Sequence, residues 1–189
     1  QEIVYFSKRV TDDKEIYNGF NATAKILDPN IDLFYLDVLS SINEIKIACE
    51  AIKDFEKPIL IGVHLNNKGY LPSGETIDDL IPITSNYNTC GIIAACVSPE
   101  IVNLAMPKLT NQKLPFGFKV NAFKNIPENN PLDADLYDNG YPTERYGTRA
   151  NEFNPEVFKK FVQNKLKDGA TLLGGCCEIK PRHIKALTK

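Results

Sequence analysis

The stretch Ala170-Thr171-Leu172-Leu173-Gly174-Gly175-Cys176-Cys177 joins an apolar run to a glycine pair and two adjacent cysteines, and Lys180-Pro181-Arg182-His183-Ile184 then begins a helix. An apolar run followed by a helix start is typical of a strand in a parallel α/β sheet. Neighbouring residues of a regular strand point to opposite faces, so two adjacent thiols do not normally reach one site. Because glycine tolerates backbone angles that other residues avoid, we expect Gly174-Gly175 to turn the chain off the sheet and let both thiols converge.

A third cysteine occupies the corresponding place in another unit. Cys96 ends the apolar run Gly91-Ile92-Ile93-Ala94-Ala95, and Ser98-Pro99-Glu100 begins the next helix. Three thiolates at the carboxyl ends of two strands match a catalytic zinc site, which has three protein ligands and an open fourth position. The sequence therefore predicts that Cys96, Cys176 and Cys177 bind Zn²⁺. The alternative is that they are small buried hydrophobic residues, as Cys49 and Cys90 are predicted to be.

Five strand-then-helix units follow one another along the chain. The predicted strands are residues 31–37, 58–65, 91–96, 116–120 and 171–173, and the predicted helices are residues 41–55, a segment after Gly74, residues 99–106, residues 155–167 and a segment from Pro181. Apolar strands that alternate with helices indicate a parallel sheet covered by helices. The pattern fits either a doubly wound sheet or part of an eight-stranded barrel. The long polar segment 121–154 is predicted to be a functional loop.

Length and composition limit the classes that remain. A chain of 189 residues fits one domain, and a net charge of −2 from 22 basic and 24 acidic residues does not suggest a nucleic-acid or membrane partner. The sequence has neither an apolar run of membrane-spanning length nor a signal-peptide pattern, so we predict a soluble, cytoplasmic protein. Five cysteines favour thiol chemistry or metal binding over disulfides. Because a whole parallel barrel needs about 250 residues and the chain begins at Gln1, we expect one domain, residues 1–189, that lacks its amino-terminal part.

The two cysteine segments also carry a family resemblance. Gly174-Gly175-Cys176-Cys177-Glu178-Ile179-Lys180-Pro181-Arg182-His183-Ile184 resembles the closing signature of the homocysteine S-methyltransferases, and Ala95-Cys96-Val97-Ser98-Pro99-Glu100 is similar to their middle cysteine segment. The resemblance extends from Asp32 to the end of the chain. It implies a TIM-type (β/α) barrel of which only the last five of eight units are present. It also implies zinc-dependent transfer of a methyl group from a sulfonium donor, S-methylmethionine or S-adenosylmethionine, to the thiolate of homocysteine, giving methionine.

The same resemblance implies two substrate-binding residues. Asp37 ends the first predicted strand, where the family has a glutamate associated with the ammonium group of the amino-acid substrate. Asn121 lies in Lys119-Val120-Asn121-Ala122-Phe123, which resembles the family's Asn-Ala segment, and is expected to bind substrate or to support a residue that does. The residues alone also allow Asp37 to be a helix-capping or loop aspartate and Asn121 a turn-forming residue. His183 is expected to pack or cap in the first turn of the last helix.

Two other functions fit parts of the pattern. Gly174-Gly175 could form a phosphate-binding turn, a common use of late barrel strands, and the chain would then be a lyase or isomerase with incidental cysteines. The chain could also be a catalytically incomplete metal-binding fragment that self-associates where barrel strands are missing. The partners implied by the leading hypothesis are small molecules, homocysteine and a methyl donor, and betaine and methylfolate–cobalamin relatives leave the donor undetermined.

Overall fold

The computed structural model of the protein describes residues 12–124, 146–149 and 151–188. The strands are β1 (Phe34–Leu39), β2 (Ile59–Val63), β3 (Thr89–Val97), β4 (Phe116–Val120) and β5 (Leu172–Gly175). The α-helices of these ranges are α1 (Asp13–Leu27), α2 (Ile42–Ile52), α3 (Ile81–Asn86), α4 (Pro99–Thr110), α5 (Pro155–Lys167) and α6 (Pro181–Leu187). No helix in the described ranges combines the length and the apolar character that a bilayer span requires.

The five strands form one parallel sheet in which their spatial order is their order in the chain, β1-β2-β3-β4-β5. Each connection therefore moves the chain by one strand in the same direction. A doubly wound sheet instead reverses its strand order at a switch point, whereas unbroken consecutive order is the arrangement of a (β/α) barrel. The predicted fold class, an α/β protein with a barrel-type parallel sheet of five βα units, is confirmed.

The two faces of the sheet differ in chemistry. On one face Leu36, Ile61, Ile92 and Phe116 lie side by side in register and belong to the main apolar core. Side chains alternate between the faces of a strand, so Lys119 and its register neighbours Ala95 and Gly174 lie on the other face. We call this second face, which also carries Tyr35 and Asp37, the inner face.

Side-chain caps begin the helices close to the predicted positions. Ser41, Ser98 and Asn154 each accept a hydrogen bond from a backbone N–H in the first turn of α2, α4 and α5. Thr76 and Asp79 form a reciprocal capping box at a 3₁₀ turn that leads into α3. Such caps contribute about 1 kcal/mol each. Because two of these helices begin within three residues of a strand, the caps also fix where β1 and β3 end.

The boundaries of four strands differ from the prediction by one to three residues, and only β4 matches it. β1 begins at Phe34 instead of residue 31, because Asp28–Asn30 forms a 3₁₀ turn and the ladder opens only where Phe34 N donates to Pro58 O at 2.9 Å. β5 continues to Gly175 instead of ending at residue 173. Most of the predicted functional loop falls on residues 125–145 and 150, outside the described residues. Its described flanks pair through an antiparallel bridge between Phe123 and Thr148.

An aromatic cluster joins α5 to α6. Phe158 is completely buried and meets the rings of Phe153 and His183 edge-on, with centroid distances of 5.9 and 5.8 Å. His183 is also completely buried, and its Nδ1 accepts a hydrogen bond from Lys180 N at 2.9 Å. The predicted packing and capping role of His183 is confirmed. The last helix is therefore anchored by apolar and edge-on aromatic contacts.

We expect Phe158→Ala to lower the free energy of unfolding by about 3–5 kcal/mol, because it removes a large ring from a fully packed position. Val157 on the same helix is 40% exposed, and Val157→Ala is the matched control, expected to change stability by about 0.5 kcal/mol or less. Guanidinium denaturation of the two variants measures both values. Equal losses would contradict the packing described for this cluster.

Candidate metal centre and its charged neighbours

Cys96, Cys176 and Cys177 come together at the carboxyl ends of β3 and β5, and we call them the sulfur group. Their Sγ atoms are separated by 2.9 Å (Cys96–Cys176), 3.7 Å (Cys96–Cys177) and 3.7 Å (Cys176–Cys177). None of the five cysteines, all of which lie in the described part of the chain, forms a disulfide. The structure therefore brings together the three residues that the sequence predicts as metal ligands.

The donor set of the sulfur group suits zinc. Tetrahedral zinc with Zn–S bonds of about 2.3 Å places its sulfurs about 3.8 Å apart, close to two of the three observed separations. The Cys96–Cys176 pair would have to open by about 0.9 Å to match. Within the described residues the group has three members, so one tetrahedral position is left for a substrate atom. The residues present fit a zinc ion with an open site.

The electrostatics of the sulfur group favour a cation. The hydrogen bond with Cys177 lowers the pKa of Cys176, but the hydrogen bond with Cys96, burial and the nearby Cys96 sulfur outweigh it and raise that pKa to about 11. The hydrogen bond with Cys176 and burial raise the pKa of Cys177 to about 11 as well. Thiols this close cannot ionise together at neutral pH on their own, because each thiolate repels the next. A cation between them removes that penalty.

Cys96 reaches the sulfur group because β3 is irregular at this residue. The register with β4 shifts between Ala95 and Val97, and Cys96 has a φ of 55°. In an unbroken strand Cys96 would face away from Ala95 and toward the helices. A bulge re-aims a side chain at the cost of a left-handed residue, which is uncommon outside glycine.

β1 carries a matching irregularity. Its register with β2 shifts after Leu36, and Val38 has a φ of 59°, an outlier for a β-branched residue. Val38 packs with Ala95, Cys96 and Cys176 in a small apolar cluster. Backbone strain of this kind concentrates at functional sites and persists only where surrounding contacts enforce it. The two left-handed residues, Val38 and Cys96, lie in this one cluster beside the sulfur group.

The glycine pair acts differently from the prediction. Gly174 and Gly175 stay within β5, paired in register with β4, and neither has a positive φ. The predicted turn at Gly174-Gly175 is therefore wrong, and the left-handed residue comes after the cysteines, at Glu178, with a φ of 66°. Gly175 is required by space instead, because a Cβ there would lie 2.6 Å from the Cβ of Ile179. Glycine lets the chain fold back against the strand it has just left.

Asn121 lies directly after β4 and supports Cys96. Its side chain is completely buried, with Nδ2 donating to Cys96 O at 2.7 Å and Oδ1 accepting from Phe123 N at 3.3 Å. Its backbone N–H donates to Val97 O at 2.8 Å. Contact of Asn121 with substrate stays a prediction. The observed bonds favour the supporting role, since they stabilise the carbonyl of the left-handed cysteine.

Asp37 lies on the inner face in an ion pair with Lys119 of β4, and we call these two residues the charged pair. Their side chains are 29% and 20% exposed, and Lys119 Nζ lies 5.4 Å from the centre of the Tyr35 ring. The pair spans β2 and β3, where Gly62 leaves room for Tyr35: a Cβ there would lie 2.8 Å from a ring carbon. Neither Lys119 nor Tyr35 is among the residues that the sequence predicts for the site. A lysine within the otherwise apolar strand Phe116–Val120 was the available signal.

Two buried oxygen atoms at the charged pair have unsatisfied hydrogen-bonding capacity. Asp37 Oδ1 and Tyr35 Oη are buried, and neither has a hydrogen-bond partner among the described residues. Burial, then a side-chain interaction with Asp37 and the negative charge of that carboxylate, raise the pKa of Tyr35 well above its usual range, so the phenol keeps its proton. The Lys119 ammonium is close enough to Cys176 to favour the ionised form of that thiol. Binding of an ammonium group by Asp37 stays a prediction, and Oδ1 is the oxygen left for it.

The other thiols and His64 have different environments. Cys49 is completely buried on α2, and burial raises its pKa to about 12. Cys90 lies at the start of β3, at the opposite end of the strand from Cys96. His64 Nδ1 lies 3.3 Å from Ala95 O, and burial lowers the pKa of the ring despite that contact. The His64 ring is therefore neutral at physiological pH.

This chain is similar to known proteins in both sequence and fold. The family model described as homocysteine S-methyltransferase matches residues 4–189. A curated relative, homocysteine S-methyltransferase 2 of Saccharomyces cerevisiae, is 22% identical over 187 residues, which are 92% of this chain and 52% of the relative. The crystal structure of the homocysteine methyltransferase MmuM from Escherichia coli, in its apo form, superposes with a TM-score of 0.63 at 19% identity over 91% of this chain and 56% of that one. The chain thus spans about half the length of these two proteins.

The two neighbouring glycines allow a matched test of the fold-back. We expect Gly175→Ala to lower the free energy of unfolding by about 1–3 kcal/mol, as overpacking does, because the new Cβ must displace Ile179. Gly174→Ala is the control, since its Cβ would meet its nearest atoms at 3.8 Å, an ordinary contact. Guanidinium denaturation of both variants gives the comparison. Equal sensitivity at the two positions would contradict the contact with Ile179.

Proposed function

Because the chain belongs to the homocysteine S-methyltransferase family, we propose that it binds one Zn²⁺ through Cys96, Cys176 and Cys177 and transfers a methyl group to the sulfur of homocysteine. The proposed donor is a sulfonium compound, S-methylmethionine or S-adenosylmethionine, and the product is methionine. The observation that carries this proposal is the convergence of three sulfurs, within 4.8 Å of one another, at the ends of two strands.

The residues of the chain would divide the work as follows. Cys96, Cys176 and Cys177 hold the ion and leave one position open toward the acceptor. When bound, zinc supplies the Lewis acidity that ionises a thiol at neutral pH, where a free thiol with a pKa near 8.5 is mostly protonated. Asn121 fixes the carbonyl of Cys96. Asp37 orients the acceptor through its ammonium group.

Methyl transfer to sulfur demands orientation more than acid–base catalysis. A lone pair of the acceptor sulfur forms the new bond to the methyl carbon while the bond from that carbon to the donor sulfur breaks and its electron pair stays with the donor. Once the acceptor is ionised, no further proton moves, so alignment of the two sulfurs with the methyl carbon sets the rate. This view needs no histidine base, and His183 is held by backbone groups at Lys180 and Phe153.

The alternatives receive less support. A phosphate site needs an open glycine turn, whereas Gly174 and Gly175 are paired with β4 in the sheet. A catalytically incomplete fragment would keep the sulfur group but lose transfer, and the two tests below separate these cases. Self-association along the outer edges of β1 and β5 and a cytoplasmic location remain predictions.

The first test is metal content. We expect about one zinc per chain after dialysis against buffered zinc, and loss of most of it in Cys177→Ala, because two thiolates bind zinc far less tightly than three. Cys177 is the most exposed of the three ligands, so its removal should leave the core intact. Cys90→Ala is the control and should keep its zinc. Full occupancy in Cys177→Ala, measured by elemental mass spectrometry, would make the ligand assignment wrong.

The second test is methyl transfer by the zinc-loaded protein. With homocysteine and S-methylmethionine or S-adenosylmethionine carrying a deuterated methyl group, we expect labelled methionine, detected by mass spectrometry. Cys176→Ser should abolish the label, whereas Cys90→Ala should not. If neither sulfonium donor nor betaine yields methionine while zinc is bound, the proposed methyltransferase activity is excluded for this chain.

A further inference from the structure

The charged pair can accept and donate further hydrogen bonds. Asp37 uses Oδ2 for Lys119, while its buried Oδ1 has no donor among the described residues. A lysine ammonium has three N–H donors, and among the described residues the Lys119 ammonium contacts one carboxylate oxygen and one aromatic ring. One acceptor for a cation and further donors for an anion therefore lie side by side.

We propose that Lys119 is a specificity-determining residue that binds the α-carboxylate of a zwitterionic amino acid while Asp37 Oδ1 accepts from its ammonium group. This inference rests on the proposed function, in which the acceptor is an α-amino acid. It assigns the carboxylate of that amino acid to Lys119, a residue of β4. Tyr35 lies under the Lys119 ammonium and holds it over the inner face.

The charge balance of the pair explains why a zwitterion fits best. Asp37 and Lys119 together are neutral, so a neutral ligand with one positive and one negative group adds two pairings without leaving a net charge in a partly buried place. An amine without a carboxylate competes with Lys119 for Asp37, and an acid without an ammonium leaves Oδ1 unpaired. An uncompensated charge or a buried polar atom without a partner is costly.

A purely structural ion pair would look different. It would tie two elements together with its polar atoms satisfied, as Arg149 does when it donates to both Phe123 O and the Glu100 carboxylate. The charged pair instead keeps a buried oxygen of Asp37 and the neighbouring Tyr35 Oη unpartnered among the described residues. It also lies near the sulfur group, since the Lys119 charge acts on Cys176.

The test uses three ligands that differ only in the head group: L-methionine, 3-(methylthio)propylamine, which lacks the carboxylate, and 4-(methylthio)butyrate, which lacks the ammonium. All three are thioethers, so the metal-free chain can be titrated with them by calorimetry without zinc or a methyl donor. We expect the wild-type chain to prefer methionine over either analogue by about tenfold to a hundredfold, the loss that follows removal of one charge-assisted hydrogen bond.

Lys119→Met keeps the apolar stem and should abolish the preference for methionine over the amine while leaving the preference over the acid. Asp37→Asn should do the reverse. Lys119→Arg should restore most of the first preference, and Lys46→Met, at an exposed lysine of α2, should change neither. Circular dichroism and thermal melting verify that each variant is folded.

An unchanged methionine-to-amine ratio in Lys119→Met would overturn the proposal, and so would a wild-type chain that binds methionine no better than the two analogues. Failure of methyl transfer, by contrast, overturns the proposed function without touching these ratios. The two ideas can therefore fail separately.

Discussion

Backbone hydrogen bonds at the end of β4 hold the ends of its two neighbours. Asn121 N donates to Val97 O at 2.8 Å on the β3 side, and on the β5 side Cys176 N donates to Val120 O at 2.7 Å and Ala122 N to Cys177 O at 3.0 Å. Three consecutive residues of one strand end thus position both cysteine-bearing segments. The sulfur group is assembled by the sheet itself, and a metal ion entering it would need only a small adjustment of one sulfur pair.

The fold and the membership of the sulfur group follow from local sequence. Each strand is a short apolar run, and Ser41, Ser98 and Asn154 cap three of the helices. The alternation of strands and helices specifies a parallel sheet. In a parallel sheet the carboxyl ends of all strands lie on the same side. Cysteines that end two apolar strands are therefore brought to that side, whatever the details of the loops. This is why the proximity of Cys96, Cys176 and Cys177 could be anticipated from their positions alone.

What the sequence did not reveal depends on register and on pairs distant in the chain. Asp37 and Lys119 are 82 residues apart, and their pairing requires both to lie on the inner face with small residues between them. The left-handed backbone at Cys96 arises from a one-residue slip between β3 and β4, to which no sequence signal points. Gly175 was correctly marked as special but for the wrong cause, since its constraint is the later return of Ile179 and not its own dihedral angles.

The separation of the ligands along the chain has a consequence for the order of folding. Cys96 and Cys176 are 80 residues apart, and the two segments meet only when β4 is paired with both β3 and β5. Closing so long a loop is entropically costly, and contacts of this range form late. Cys176 and Cys177 alone offer two thiolates, so tight metal capture should come only after the last strand has joined. Zinc uptake during refolding would therefore report when β5 joins the sheet. Metal binding would stabilise a sheet that has already formed and would not initiate its folding.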